Sequence, residues 1–150
     1  MEGLVLGALI GATSVVVWRG IAQVVQMPRA EVKALAMALS YLWVRGRHAA
    51  ATDVGLALVE SDPRHCMLET VFDWAVNHGY RLSEVASAYE RCLTVRPRNV
   101  GNRYNLGVAF AELGQVDAAR EQWTIVVGED NGGWRDRARE RLRGTVADVL

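Results

Sequence analysis

Proline is scarce in this 150-residue chain, with three in all. That excludes a proline-rich linker and argues against a β-rich fold with many turns. Two cysteines cannot build a disulfide scaffold. Net charge is missing too: 17 basic residues meet 17 acidic ones. Nucleic-acid-binding domains are usually basic, so this balance gives no global reason to expect nucleic acid as a partner. A disordered chain would combine few apolar residues with a large net charge, whereas the hydrophobic fraction here is 51%. Lysine is nearly absent: every basic residue except Lys33 is arginine, which reflects genome composition and not function. Catalytic signatures are also lacking. There is no GxSxG, HExxH, GxGxxG or GxxxxGK[ST].

The apolar residues are unevenly spread. Residues 1–27 hold only two charges, Glu2 and Arg19, and all the others follow Met27. The run from Gly3 to Trp18 carries no charge and would be about 24 Å long as a helix. Its continuation to Met27 adds Arg19 as the one charge, beside an interfacial Trp18. Such an arginine can snorkel from near a membrane boundary. Residues 1–28 are therefore expected to be an anchor: a single transmembrane helix over 3–18 that continues into the interface until Pro28. A cleaved signal peptide is disfavoured, because the basic n-region and an Ala-x-Ala site are missing. A buried helix of a soluble fold is the remaining alternative. Gly3, Gly7 and Gly11 form two overlapping GxxxG patterns, expected to pack on another transmembrane helix or complex subunit. Arg19, Arg29 and Lys33 follow the stretch and no cation precedes it. The positive-inside rule then expects a bacterial inner-membrane, single-pass protein with its C-terminal domain in the cytoplasm.

The rest of the chain is helical and periodic. Apolar residues recur at helical spacing, as in Leu35, Ala38, Leu39 and Leu42. Helices are expected near 29–45, 48–60, 64–78, 82–95, 100–113, 115–128 and 134–148. Short turns make neighbours antiparallel. The step from Pro63 to Pro97 defines one period, and the steps from Gly46 to Gly114 and from Ala51 to Ala119 are each two such periods. Tyr104-Asn105-Leu106-Gly107 is followed by Phe110, Gly114, Ala119 and Trp123. That pattern and period resemble the tetratricopeptide repeat family, whose helix–turn–helix unit is about 34 residues long. In the resemblance Leu106-Gly107 is the Leu-Gly pair, Gly114 the hairpin glycine, and Ala119 the small residue at the helix crossing. Phe110 and Trp123 take the aromatic positions. The first unit matches through Gly46, Ala51 and Pro63, with Ala38-Leu39 in place of Leu-Gly. The second matches through Tyr89, Cys92 and Pro97. Gly79 lies one position further from Tyr89 than the pattern has it, so that hairpin is expected to hold one extra residue. The expected fold is all-α: three such hairpins over 29–131, then a C-terminal capping helix over 132–150. The capping helix presents Trp134, Ala138, Leu142, Val146 and Val149 inward and its arginines to solvent.

The resemblance implies a binding groove lined by the first helix of each repeat. It places Asn105 where the family often holds a ligand peptide's backbone. Lys33, Ser40, Trp43, Trp74, Tyr104 and Val108 are the neighbouring candidates, with inter-repeat packing as the competing role for Trp43 and Trp74. The basic pattern of a carboxylate-binding groove is not visible at the matching positions, so an apolar protein segment suits the groove better. His65, Cys66, His78 and Cys92 lack the spacing of a metal site, and no metal or other cofactor is expected. Cys66 and Cys92 are expected at adjoining helix ends, as two buried thiols or, in an oxidising compartment, a disulfide. The expected role is non-catalytic: an accessory, assembly or scaffold subunit of a membrane complex, acting through protein contacts. Rival readings are a periplasmic assembly factor of the cytochrome-maturation or pilus type, and a regulatory domain for a separate enzyme.

Overall fold

The computed structural model describes residues 29–66, 68–130 and 132–147. These form seven helices and, among the described residues, no strand: α1 Arg29–Val44, α2 His48–Ser61, α3 Glu69–Asn77, α4 Leu82–Val95, α5 Val100–Glu112, α6 Val116–Glu129 and α7 Gly133–Ala147. Each helix packs on the next in sequence; in addition α2 meets α4, α3 meets α5 and α5 meets α7. The result is three side-by-side hairpins, α1/α2, α3/α4 and α5/α6, with α7 laid against the third.

Each hairpin turns on a glycine at positive φ: Gly46 at 71°, Gly79 at 64° and Gly114 at 74°. Gly46 N–H donates to the Trp43 carbonyl at 3.0 Å and Arg47 N–H to Leu42 at 2.9 Å. The same pair of bonds recurs as Gly79 to Val76 and Tyr80 to Ala75, and as Gly114 to Ala111 and Gln115 to Phe110. This closure satisfies the last carbonyls of a helix and needs a left-handed residue. A Cβ at these glycines would meet nothing within 4 Å, so backbone angle, not space, demands glycine.

The period resides in the second helices. α2, α4 and α6 are each 14 residues long and begin at His48, Leu82 and Val116. Their N-caps Arg47, Arg81 and Gln115 keep the spacing, as do the C-caps Asp62, Arg96 and Asp130. Pro63 and Pro97 directly follow two of those C-caps, where a helix cannot continue. The first helices vary, with 16, 9 and 13 residues. α3 stops at Asn77, so its turn runs over 78–81 and is one residue longer than the other two. The extra residue leaves Arg81 at φ 50°, a left-handed backbone for a side chain. Its guanidinium is held by Asp53 at 2.6 Å and Glu84 at 3.3 Å.

Within each hairpin, facing residues keep one constant separation in sequence: Leu39 with Gly55, Asp73 with Tyr89, Gly107 with Trp123. A Cβ on Gly55 would come 3.5 Å from Leu39 Cδ1. Tyr89 donates its hydroxyl to Asp73 at 3.3 Å. A Cβ on Gly107 would fall 2.8 Å from Trp123 Cδ1 and 2.9 Å from Cε2, inside the ring's contact envelope. The first and third hairpins divide the same space in opposite ways, large residue on one helix and glycine on the other. Ala51, Val85 and Ala119 share another register and are all fully buried. Tyr89, Trp123, Phe72 and Leu106 complete the core, with Phe72 edge-on to Tyr89 at 5.5 Å.

Two expectations are corrected. The helix expected over 64–78 begins at Glu69. Asp62 captures the residues before it: its Oδ1 accepts Arg64 N–H at 2.9 Å and its carbonyl accepts His65 N–H at 3.0 Å. Such local bonds compete with helix formation, so Cys66 precedes α3 instead of opening it. The single-pass membrane localisation is also corrected. Among the described residues no helix is long and apolar enough to cross a membrane. α1, which carries the uncharged run 34–44, has 16 residues, about 24 Å against a ~30 Å hydrocarbon core. Its first turns also carry Arg29, Glu31 and Lys33. The anchor expected over 1–28, with Gly3, Gly7 and Gly11, lies outside the described residues.

Candidate partner-binding face

Among the first helices, α3 packs on α5, and α5 packs on α7; two cavities open beside the first helices and α7. The first, about 170 Å³, lies among α3, α5 and α7. Its floor is polar. Asn105 is nearly buried and donates its Nδ2 to Asp73 Oδ1 at 2.7 Å, the same oxygen that accepts from Tyr89. Its rim is aromatic and cationic. The Tyr104 and Trp134 rings are 5.2 Å apart, and the Arg137 guanidinium lies 4.9 Å over the Trp134 ring. Arg141 Nε donates to the Tyr104 hydroxyl at 3.5 Å. Asn77, Val76 and Val108 complete the wall. The second cavity, about 300 Å³, lies between α1 and α3 and is mainly apolar, lined by Leu39, Ser40, Trp43, Val44, Leu68, Thr70 and Val71.

The residues singled out in the sequence divide among these places. Tyr104, Asn105 and Val108 line the polar cavity, and Ser40 and Trp43 line the apolar one. Asn105 spends its amide on Asp73, so its first role is to tie α5 to α3. The Ser40 hydroxyl donates to the Ala36 carbonyl at 3.0 Å. Lys33 is exposed on α1 and lines neither cavity. Trp74 lies elsewhere, in a cluster near the first two turns. It stacks on His78 at 4.4 Å and meets His48 at 5.4 Å and Tyr80 at 6.1 Å. Trp43 joins that cluster through His48 at 4.4 Å.

Sequence reasoning missed Asp73, Asn77, Trp134, Arg137 and Arg141 as parts of this face. One signal was present. Asp73 lies one repeat period before Gly107, so it occupies the register that faces the second helix. Capping is the main role that the sequence reading gives the α7 residues, and α7 also packs on α5 as a first helix would.

Cys66 and Cys92 are free and buried. Burial, and then the hydrogen bond and charge of the neighbouring Cys66, push the Cys92 thiol well above its usual range. Among the described residues no group of three or more His, Cys, Asp or Glu side chains stands where it could hold a metal ion. No protein-family model matches the chain, and no curated protein matches it.

Proposed function

We propose that this protein is an interaction module of the tetratricopeptide-repeat type, a non-catalytic accessory or assembly subunit that holds a segment of a partner protein. The observation that carries the reading is a pair of open cavities beside these helices, one between α1 and α3 and one among α3, α5 and α7. One is apolar and the other has an aromatic and arginine rim, so they differ in what they would accept. An extended partner segment with an apolar residue at Trp43 and an acidic group at Arg137 suits both. The three-hairpin register and the glycine turns support the family likeness.

Peptides selected from a random library against the whole protein provide the test. For a selected peptide, Tyr104→Ala and Arg137→Ala should each weaken binding about tenfold or more, the scale of one good contact. Arg120→Ala, exposed on α6, should leave it unchanged. Equal losses at all three positions, or failure to select any peptide, would count against the proposal.

A further inference from the structure

The polar cavity among α3, α5 and α7 presents its groups in a fixed order from floor to rim. On the reading above, in which a partner segment binds here, that order selects the residue that enters. The floor accepts hydrogen bonds. Asp73 Oδ1 accepts from both Tyr89 and Asn105. The Asn105 bond spends an N–H, so its amide oxygen remains as an acceptor, and Asn105 lines the cavity. Tyr104, Trp134, Val76 and Val108 supply aromatic and apolar wall. The rim is cationic, with the Arg137 guanidinium 4.9 Å over the Trp134 ring and Arg141 at the Tyr104 hydroxyl.

Each class of side chain meets a different part of this arrangement. A carboxylate carried inward approaches Asp73, a like charge. An ammonium or guanidinium must pass Arg137 and Arg141. A wholly apolar group strips water from the Asn105 oxygen and the Asp73 carboxylate and returns no hydrogen bond. A neutral hydroxyl on an aromatic ring meets none of these penalties. Its ring packs on Tyr104 and Trp134, and its O–H supplies the donor that the floor asks for. Size agrees: the cavity is about 170 Å³, and a cavity of about 150 Å³ holds one benzene ring. A two-ring indole is too large for that space. The molecule makes the same contact once internally, where the buried Tyr89 of α4 donates its phenol to Asp73. We propose that this cavity is a tyrosine pocket: it takes a tyrosine side chain of the partner segment, with the ring against Tyr104 and Trp134 and the hydroxyl donated to the Asn105 and Asp73 oxygens.

N-acetyl-tyrosinamide titrated into isotopically labelled full-length protein tests this by amide shift mapping, beside its phenylalanine, lysine and glutamate counterparts. The tyrosine probe should give saturable changes at Asn77, Tyr104, Asn105 and Trp134. It should bind about threefold to tenfold more tightly than the phenylalanine probe, the range of one net hydrogen bond. The lysine and glutamate probes should also bind more weakly than the tyrosine probe. A phenylalanine probe that binds as tightly, a lysine or glutamate probe that binds more tightly, or a tyrosine probe that moves none of these amides would each overturn the proposal. The broader reading fails separately. Library-selected peptides that bind beside these helices without a tyrosine would overturn the pocket and leave the partner-binding reading standing. A tyrosine probe seated here, in a protein that selects no peptide, would support the pocket and count against the partner segment.

Discussion

Replacing Gly107 by alanine should destabilise the protein even though alanine is the better helix former. In an open helix the change is worth about 1 kcal/mol in favour of alanine. At Gly107 the new methyl would meet the Trp123 ring at 2.8 and 2.9 Å. Trp123 is 1% exposed, so the ring has no free space to enter. Its Nε1 also donates to the Tyr104 carbonyl at 3.2 Å, and displacement would cost that bond, about 1 kcal/mol net. Overpacking of this kind typically costs about 1–3 kcal/mol. With the lost bond added and the helix preference subtracted, the net expectation is a loss of about 1–3 kcal/mol. Gly144 in α7 has nothing within 4 Å, so Gly144→Ala should stabilise by about 0.5–1 kcal/mol. Urea unfolding followed by circular dichroism measures both. In a Trp123→Phe background, where the ring is smaller, the cost of Gly107→Ala should fall by about 1 kcal/mol or more. The reasoning fails if Gly107→Ala stabilises as Gly144→Ala does, or if its cost is the same in both backgrounds.

Other consequences can be measured separately. Arg81→Ala loses the ion pair to Asp53 and keeps the left-handed backbone, whereas Arg81→Gly loses the pair but relieves the strain. In thermal unfolding the glycine variant should be the more stable by about 1 kcal/mol, and the reverse order would contradict the assignment of strain. The Arg64 guanidinium, then the Arg64 backbone N–H, hold the Asp62 carboxyl down from 3.8 to about 2. A lowered folded-state value means that the stabilisation is complete above about pH 4 and is lost as pH falls through about 2. Asp62 is near the surface, so the gain is well under about 1 kcal/mol. An NMR titration of its carboxyl should show the low midpoint, and an ordinary one would refute it. Cys66 and Cys92, buried and with Cys92 disfavoured as thiolate, should react with a thiol reagent only as fast as the fold opens. Rapid labelling of native protein would contradict that burial.

The period was legible because it is written in residues with strong local demands. Gly46 and Gly114 answer a backbone angle, Pro63 and Pro97 answer a helix end, and Ala51 and Ala119 answer a close crossing. The second hairpin was harder to read. Val85 stands where the others have alanine, and Asp73 and Tyr89 replace a glycine-and-large pair with a hydrogen bond, so chemistry changed while position did not. The start of α3 was misplaced because Asp62 diverts Arg64 and His65 into a turn, and apolar spacing does not report that competition. The candidate face was half legible. Tyr104 and Asn105 followed from their place before Leu106-Gly107. Arg137 and Trp134 did not, because nothing local distinguishes a capping helix from one that also walls a cavity; the packing of α7 on α5 decides it. Trp74 had two readings, a groove position by helix membership and inter-repeat packing, and its ring packs against His48 and His78. The membrane reading rested on residues 1–28 and on charge counting, and none of the described helices has the length and apolarity that it required.

The central claim is that a partner segment occupies the cavities beside α1, α3, α5 and α7. Amide shift mapping by NMR, with a library-selected peptide added to isotopically labelled full-length protein, tests it most directly. The account expects the changes to concentrate at Ser40 and Trp43, at Val71 to Asn77, at Tyr104 to Val108 and at Trp134 to Arg141. Changes concentrated on α2, α4 and α6, with those positions unmoved, would contradict it.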